Sequence, residues 1–195
     1  MVRFVKLKDK VARIPRPDSA GSDQYGGIYI GSGTSVDVIY NNTVYNRVRP
    51  PLYVSGGEGN LIINNVFYVG GDAATPIIWL EGGTCRLLQN DYWADHGVLH
   101  LHYQGSTLRS LEQLRALGQE ECEQAPFGLN VDPRLVHPGA GGTIGIVAPW
   151  ELRAYCLEPD SPMLARGFDL RKFGVKLGGR TFQSSAEPPL NIGAN

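Results

Sequence analysis

Among the 195 residues, the side chains best suited to chemistry are the carboxyls Glu81 and Asp23 and the rings Tyr29, Tyr53, Trp79, His100 and His102. Flat rings beside polar groups suit a sugar chain, because pyranose C–H faces stack on aromatic rings while polar groups take the hydroxyls. Cleaving a glycosidic bond needs, in addition, two carboxyls about 5 to 9.5 Å apart, one of them able to donate a proton. Glu81, two residues after Trp79, is the candidate general acid, and Asp23 is the candidate second carboxyl. Glu58, Asp72, Asp91 and Asp95 are the other acids in this part of the chain, and Glu58 reads as a solvated corner residue. None of them makes a clear pair with Glu81.

His100 and His102 stand two apart, with Asp95 and His96 just upstream. Two imidazoles on one strand face hold a metal only with a third donor, and the sequence identifies none, so no metal site is expected. The chain contains no GxSxG elbow, no GxxxxGKS/T loop, no HExxH and no CxxC. The glycines between Gly139 and Gly145 match no dinucleotide fingerprint and read as a surface loop.

The elements that must position these groups come from a repeat. Ile28 to Tyr45, Leu52 to Tyr68 and Ile78 to Trp93 share one pattern: an alternating apolar triplet, a Gly-rich corner, a second apolar run, then Asn and an aromatic pattern. Asn42, Asn65 and Asn90 recur 23 and then 25 residues apart. A lone coil of this length cannot bury its apolar face, so neighbours must stack on it. Period-two alternation rich in Val, Ile and Tyr makes the segments strands. The expected fold is all-β: a right-handed parallel β-helix of about 4–6 coils, with an inward Asn ladder rather than a glycosylated Asn42. One short side helix is expected near 107–117, capped by Ser106 or Thr107, striped by Leu108, Leu111, Leu114 and Leu117 to pack on the side of the solenoid, and ended by Gly118.

Stacking at about 4.8 Å per strand then aligns outward side chains in columns. Tyr29, Tyr53, Trp79 and His100 form one, and Gly31, Ser55, Glu81 and His102 the next. The same columns also serve strand-to-strand cohesion with no ligand, or contact with a second subunit.

A single domain spanning 1–177 is expected, with a capping segment at 1–25, regular coils at 26–103, closing coils at 104–177 and a flexible tail at 178–195. A formal charge of −1 gives no reason to expect nucleic acid, and no apolar run is long enough for a membrane span. The opening MVRFVKLKDK shows no signal-peptide core. Cys85, Cys122 and Cys156 are odd in number and far apart, which favours free buried thiols.

From Gly26 to Gly174, GIYIGSG…NNTVYN, Asn90-Asp91-Tyr92-Trp93, SLEQLRALGQE, VDPRL and LEPDSPMLARGFDL follow one another in an order that resembles the C-terminal part of bacterial right-handed parallel β-helix proteins. These belong to the pectin-lyase-like superfamily, and the likeness is strongest to its glycoside-hydrolase-like members. The resemblance implies action on a polysaccharide or oligosaccharide outside the cytoplasm, in the extracellular space or periplasm. Lyases of the superfamily hold Ca²⁺ on clustered acids; no such cluster is present, so no cofactor is expected and a hydrolase ranks above a lyase. Relatives carry further coils before this region, and often paired acids where this chain has Gly31-Ser32. The expectation is a carbohydrate-active β-helix, with two alternatives. It could instead be a non-catalytic glycan-binding unit, or a structural unit that forms a homo-oligomer through its open solenoid end.

Overall fold

The computed structural model describes residues 27–33, 37–123, 125–140, 153–169 and 192–193. Asp23, with the rest of the expected capping segment, lies outside the described residues, as do positions 141–145 of the glycine run.

Among the described residues the chain forms a parallel β-solenoid of three complete coils, each of three strands. Coil 1 comprises β1 (Ile28–Ile30), β2 (Val38–Tyr40) and β3 (Thr43–Asn46). Coil 2 comprises β4 (Leu52–Ser55), β5 (Asn60–Ile63) and β6 (Val66–Val69). Coil 3 comprises β7 (Ile78–Gly82), β8 (Cys85–Leu88) and β9 (Asp91–Ala94). Corresponding strands pair in parallel, giving sheet A (β1-β4-β7), sheet B (β2-β5-β8) and sheet C (β3-β6-β9).

Inside, Ile30, Val54, Leu80, Ile62, Leu87 and Phe67 join one continuous apolar cluster. Each such side chain, once sealed, contributes about 1.5–3 kcal/mol relative to exposure, which is available only when a neighbouring coil covers it. The corner before sheet C brings the chain round through a left-handed residue at Asn41, Asn64 and Gln89, with φ of 53°, 57° and 55°. The next residue in each coil is a ladder Asn. Asn42 Nδ2 donates to Asn65 Oδ1, and Asn65 Nδ2 donates to Asn90 Oδ1, both at 2.9 Å. Asn65 and Asn90 are fully buried, and the expected inward ladder is present.

After coil 3 the regular three-strand pattern stops, so the described residues hold three coils and a partial fourth against the expected 4–6. β10 (Leu101–Tyr103) extends sheet A in parallel, and β11 (Ser106–Leu108) folds back antiparallel against it. Ser106 and Thr107 are therefore strand residues, not helix caps. The helix α1 is Leu111–Arg115, shorter than the expected 107–117, and Ser110 caps it in a reciprocal capping box with Gln113. Gln113 as the partner three residues on is what makes Ser110 the stronger start. Leu108, Leu111 and Leu114 join the interior cluster, so α1 closes the end of the core rather than packing along its side, while Leu117 stays 47% exposed. Gly118, at φ 75°, follows the helix as expected.

The hairpin β12 (Glu121–Cys122) with β13 (Ala125–Pro126) comes next. Leu135 then bridges Leu157 antiparallel, and these residues pack with Tyr155, Met163 and Ile192 against Val66 and Tyr68 of β6. The two described residues of the expected tail, Ile192 and Gly193, dock here; Gly193 N donates to Asn64 O at 2.8 Å. None of the three cysteines forms a disulfide, and each is half-buried.

Candidate functional site

The site is built by sheet A. Ile28, Leu52, Ile78 and Leu101 are in register along it, and one residue on are Tyr29, Tyr53, Trp79 and His102. The first three members of the predicted ring column thus align, but the fourth is His102, not His100. His100 precedes β10; its backbone oxygen accepts from Ile77 N at 2.7 Å and its ring Nδ1 faces Ala73 O at 3.2 Å. The column is a continuous stack: centroids lie 5.8 Å apart for Tyr29–Tyr53, 6.1 Å for Tyr53–Trp79 and 4.0 Å for Trp79–His102. Tyr53, between two rings, keeps 8% of its surface exposed; Tyr29, Trp79 and His102 are half-buried.

The second column also shifts. Ser55 pairs with Gly82 rather than Glu81, because the register slips between Val54 and Ser55. Glu81 is the extra residue of a bulge, a device that re-aims one side chain. Its exposed carboxylate turns back to coil 2, where Tyr53 Oη donates to Oε2 at 2.6 Å. Tyr29 Oη and Ser55 Oγ make the equivalent contact one coil earlier, at 2.8 Å. Each tyrosine hydroxyl therefore reaches the polar residue of the following coil.

These contacts decide what Glu81 can do. The Tyr53 hydroxyl, and after it the Trp79 indole, hold the carboxyl below its ordinary range, with His102 adding a smaller electrostatic pull in the same direction. The indole N–H itself makes no hydrogen bond of good geometry, so its effect is one of proximity. A general acid needs its proton held toward the working pH, which is the opposite shift. The contacts around Glu81 thus favour its carboxylate form.

The other acids are engaged elsewhere. Asp72 closes its own turn through Ala74 N at 2.8 Å, and Asp95 accepts from Tyr68 Oη beside sheet C. Asp91 is completely buried, and Glu58 is exposed at the corner between β4 and β5. Among the described residues no cluster of three metal-ligating side chains forms. A cavity of about 150 Å³ lies at the next corner, lined in part by Leu80, Gly82, Cys85, Tyr103, Gln104 and Gln119. Burial pushes the Cys85 thiol up to about 11, so it is protonated and supplies no nucleophile there.

Two polar groupings had no signal in the sequence. Tyr68 with Asp95 is one; burial, and then the Asp95 bond, raise the tyrosine well above its usual range. The other is Glu120, at the end of the Asn ladder, which the spacing of the asparagines does not reach. No family model, curated protein or solved structure matches the chain.

Proposed function

We propose that the outer face of sheet A recognises a saccharide chain without cleaving it. The observation that carries this reading is the unbroken outward column Tyr29–Tyr53–Trp79–His102 flanked by the ionised, exposed carboxylate of Glu81. A half-exposed indole beside a carboxylate offers an apolar contact for a pyranose face and an acceptor for its hydroxyls. The likeness of the coil and closing patterns to the pectin-lyase-like superfamily supports the same class of ligand. Hydrolysis with Glu81 as proton donor is disfavoured by the contacts that lower its carboxyl.

A second reading, coil cohesion alone, is favoured by the rings' stacking on one another and by the 8% exposure of Tyr53. Titrating the protein with plant and bacterial oligosaccharides separates the two. Saccharide recognition predicts saturable binding that Trp79→Ala abolishes with the fold intact. Cohesion predicts no binding and only a lower melting temperature in that variant.

A further inference from the structure

Glu120 ends the Asn ladder. Its Oε1 accepts from Asn90 Nδ2 at 2.8 Å, from Asn90 N at 3.2 Å and from Tyr92 Oη at 2.6 Å. It therefore takes the place that an Asn of a fourth coil would hold. Its backbone is left-handed, φ 50°, like that of Asn41, Asn64 and Gln89 at the earlier corners. The chain then leaves through the β12–β13 hairpin and returns at Gly128, where a Cβ would lie 2.9 Å from Glu120 Cδ. Phe127 N donates back to Glu120 O, and Leu129 N to Asn90 O, each at 2.8 Å. One side chain thus joins the last coil to the segment that closes it.

That side chain is fully buried, and its Oε2 has no hydrogen-bond partner. Asp91, next to Asn90 in the ladder coil, is fully buried too; its Oδ1 accepts from Val131 N at 3.2 Å while its Oδ2 is unpartnered. The groups facing this seam are Tyr92 and Asp91 of β9, Cys85 of β8 and Asp132 of the closing segment. The cations bordering it have other partners: Arg115 of α1 donates to Phe127 O and Gly128 O and pairs with Glu112, and Arg86 of β8 donates to Glu121 O. Neither forms an ion pair with Glu120 or Asp91 among the described residues. A buried carboxylate without a counter-cation is disfavoured, and two of them disfavour one another.

We propose that Glu120, backed by Asp91, is a proton-dependent latch: protonated, it seals the closing segment 119–136 onto the last coil, and ionised, its proton released to solvent, it loosens that segment. Burial raises the Glu120 carboxyl to about 7 and moves Asp91 in the same direction. The sign follows from linkage. A carboxyl whose folded value exceeds its unfolded value stabilises fully below the unfolded value, and that stability is lost as pH rises through the folded one. For Glu120, between 4.5 and about 7, this amounts to an opening equilibrium about 30-fold larger at about pH 8.5 than at about pH 5.5.

Hydrogen exchange on the whole chain, corrected for intrinsic rates, reads this directly. The expected result is that amides of 119–136 lose protection at the higher pH by a factor of that order, while those of β5 and β6 do not. Glu120→Gln, neutral at every pH, should shrink the difference. Equal protection at both pH values, or a Glu120→Gln variant with the full wild-type difference, would overturn the proposal. Should that variant fail to fold, infrared titration of the wild type decides. A carboxylic-acid band persisting near pH 6 is expected, and its absence is the contrary result.

Discussion

A register slip aims Glu81, and the Tyr53 hydroxyl leads the contacts that lower its carboxyl. The bulge after Val54 turns its side chain toward coil 2, and there the Tyr53 hydroxyl bonds its carboxylate. Tyr53→Phe removes that donor and should let the Glu81 carboxyl titrate at a higher value, measurable by carboxyl-carbon NMR. An unchanged titration would assign the shift to Trp79 and His102 instead. Because the folded value is depressed, any stability from this contact is present above the unfolded value and declines as pH falls through the folded one. The composition of the ring column was legible in the sequence, but its phase at coil 4 was not. Leu99-His100-Leu101-His102 presents the same in-and-out pattern after a slip of two residues, so alternation alone cannot choose between His100 and His102. The choice is made in three dimensions, by Leu101 pairing with Ile78. Nothing local announced the bulge at Glu81, since a register shift is a property of two strands together.

At the scale of elements, the ladder and the closing segment set the stability of the corners. Asn65 Nδ2 donates to Ile39 O and Ile63 O at 3.0 Å as well as to Asn90, and its Oδ1 accepts from Asn42 N. Asn65→Ala strands several buried groups and should destabilise by about 2–4 kcal/mol, against about 1 kcal/mol for Asn42→Ala at the half-buried end of the ladder. Denaturant melts of the two variants check the ranking; equal losses would mean that the ladder is not a buried network. Gly128→Ala forces a Cβ onto Glu120 at a backbone φ of 75°, and should destabilise by about 1–3 kcal/mol. A wild-type melting curve would show that the seam has slack. The ladder was readable because asparagines recur at the coil period, whereas its terminus was not, since Glu120 arrives from beyond a helix with no repeat spacing to mark it. The helix bounds were misjudged for a related reason. Leu108, Leu111 and Leu114 keep a spacing of three, although Leu108 lies in β11, and only the Ser110–Gln113 pair marks where the turn begins.

Across the whole molecule, stability is approximately a sum of coils and of the contacts between neighbours, so what closes the stack matters as much as what repeats within it. The closing strand β11 and helix α1 cover the end of the core beyond coil 3, and Cys122 of the β12–β13 hairpin packs with Ile63 and Leu88 of sheet B. Leu135, Tyr155 and Met163 pack on the outside of sheet C, and sheet A carries the aromatic column on its outer side. With no cluster of metal ligands among the described residues, added Ca²⁺ should leave the melting temperature unchanged; a rise that grows with Ca²⁺ would reveal a site. Sheet A is proposed above to recognise a saccharide chain without breaking it. The most direct test of this is tryptophan fluorescence titrated with an oligosaccharide panel, with reducing ends assayed in the same wells. Saccharide recognition without cleavage predicts a saturable change with no new reducing ends, lost in Trp79→Ala at unchanged circular dichroism. Silence across the panel, or new reducing ends that vanish in Glu81→Gln, would contradict it.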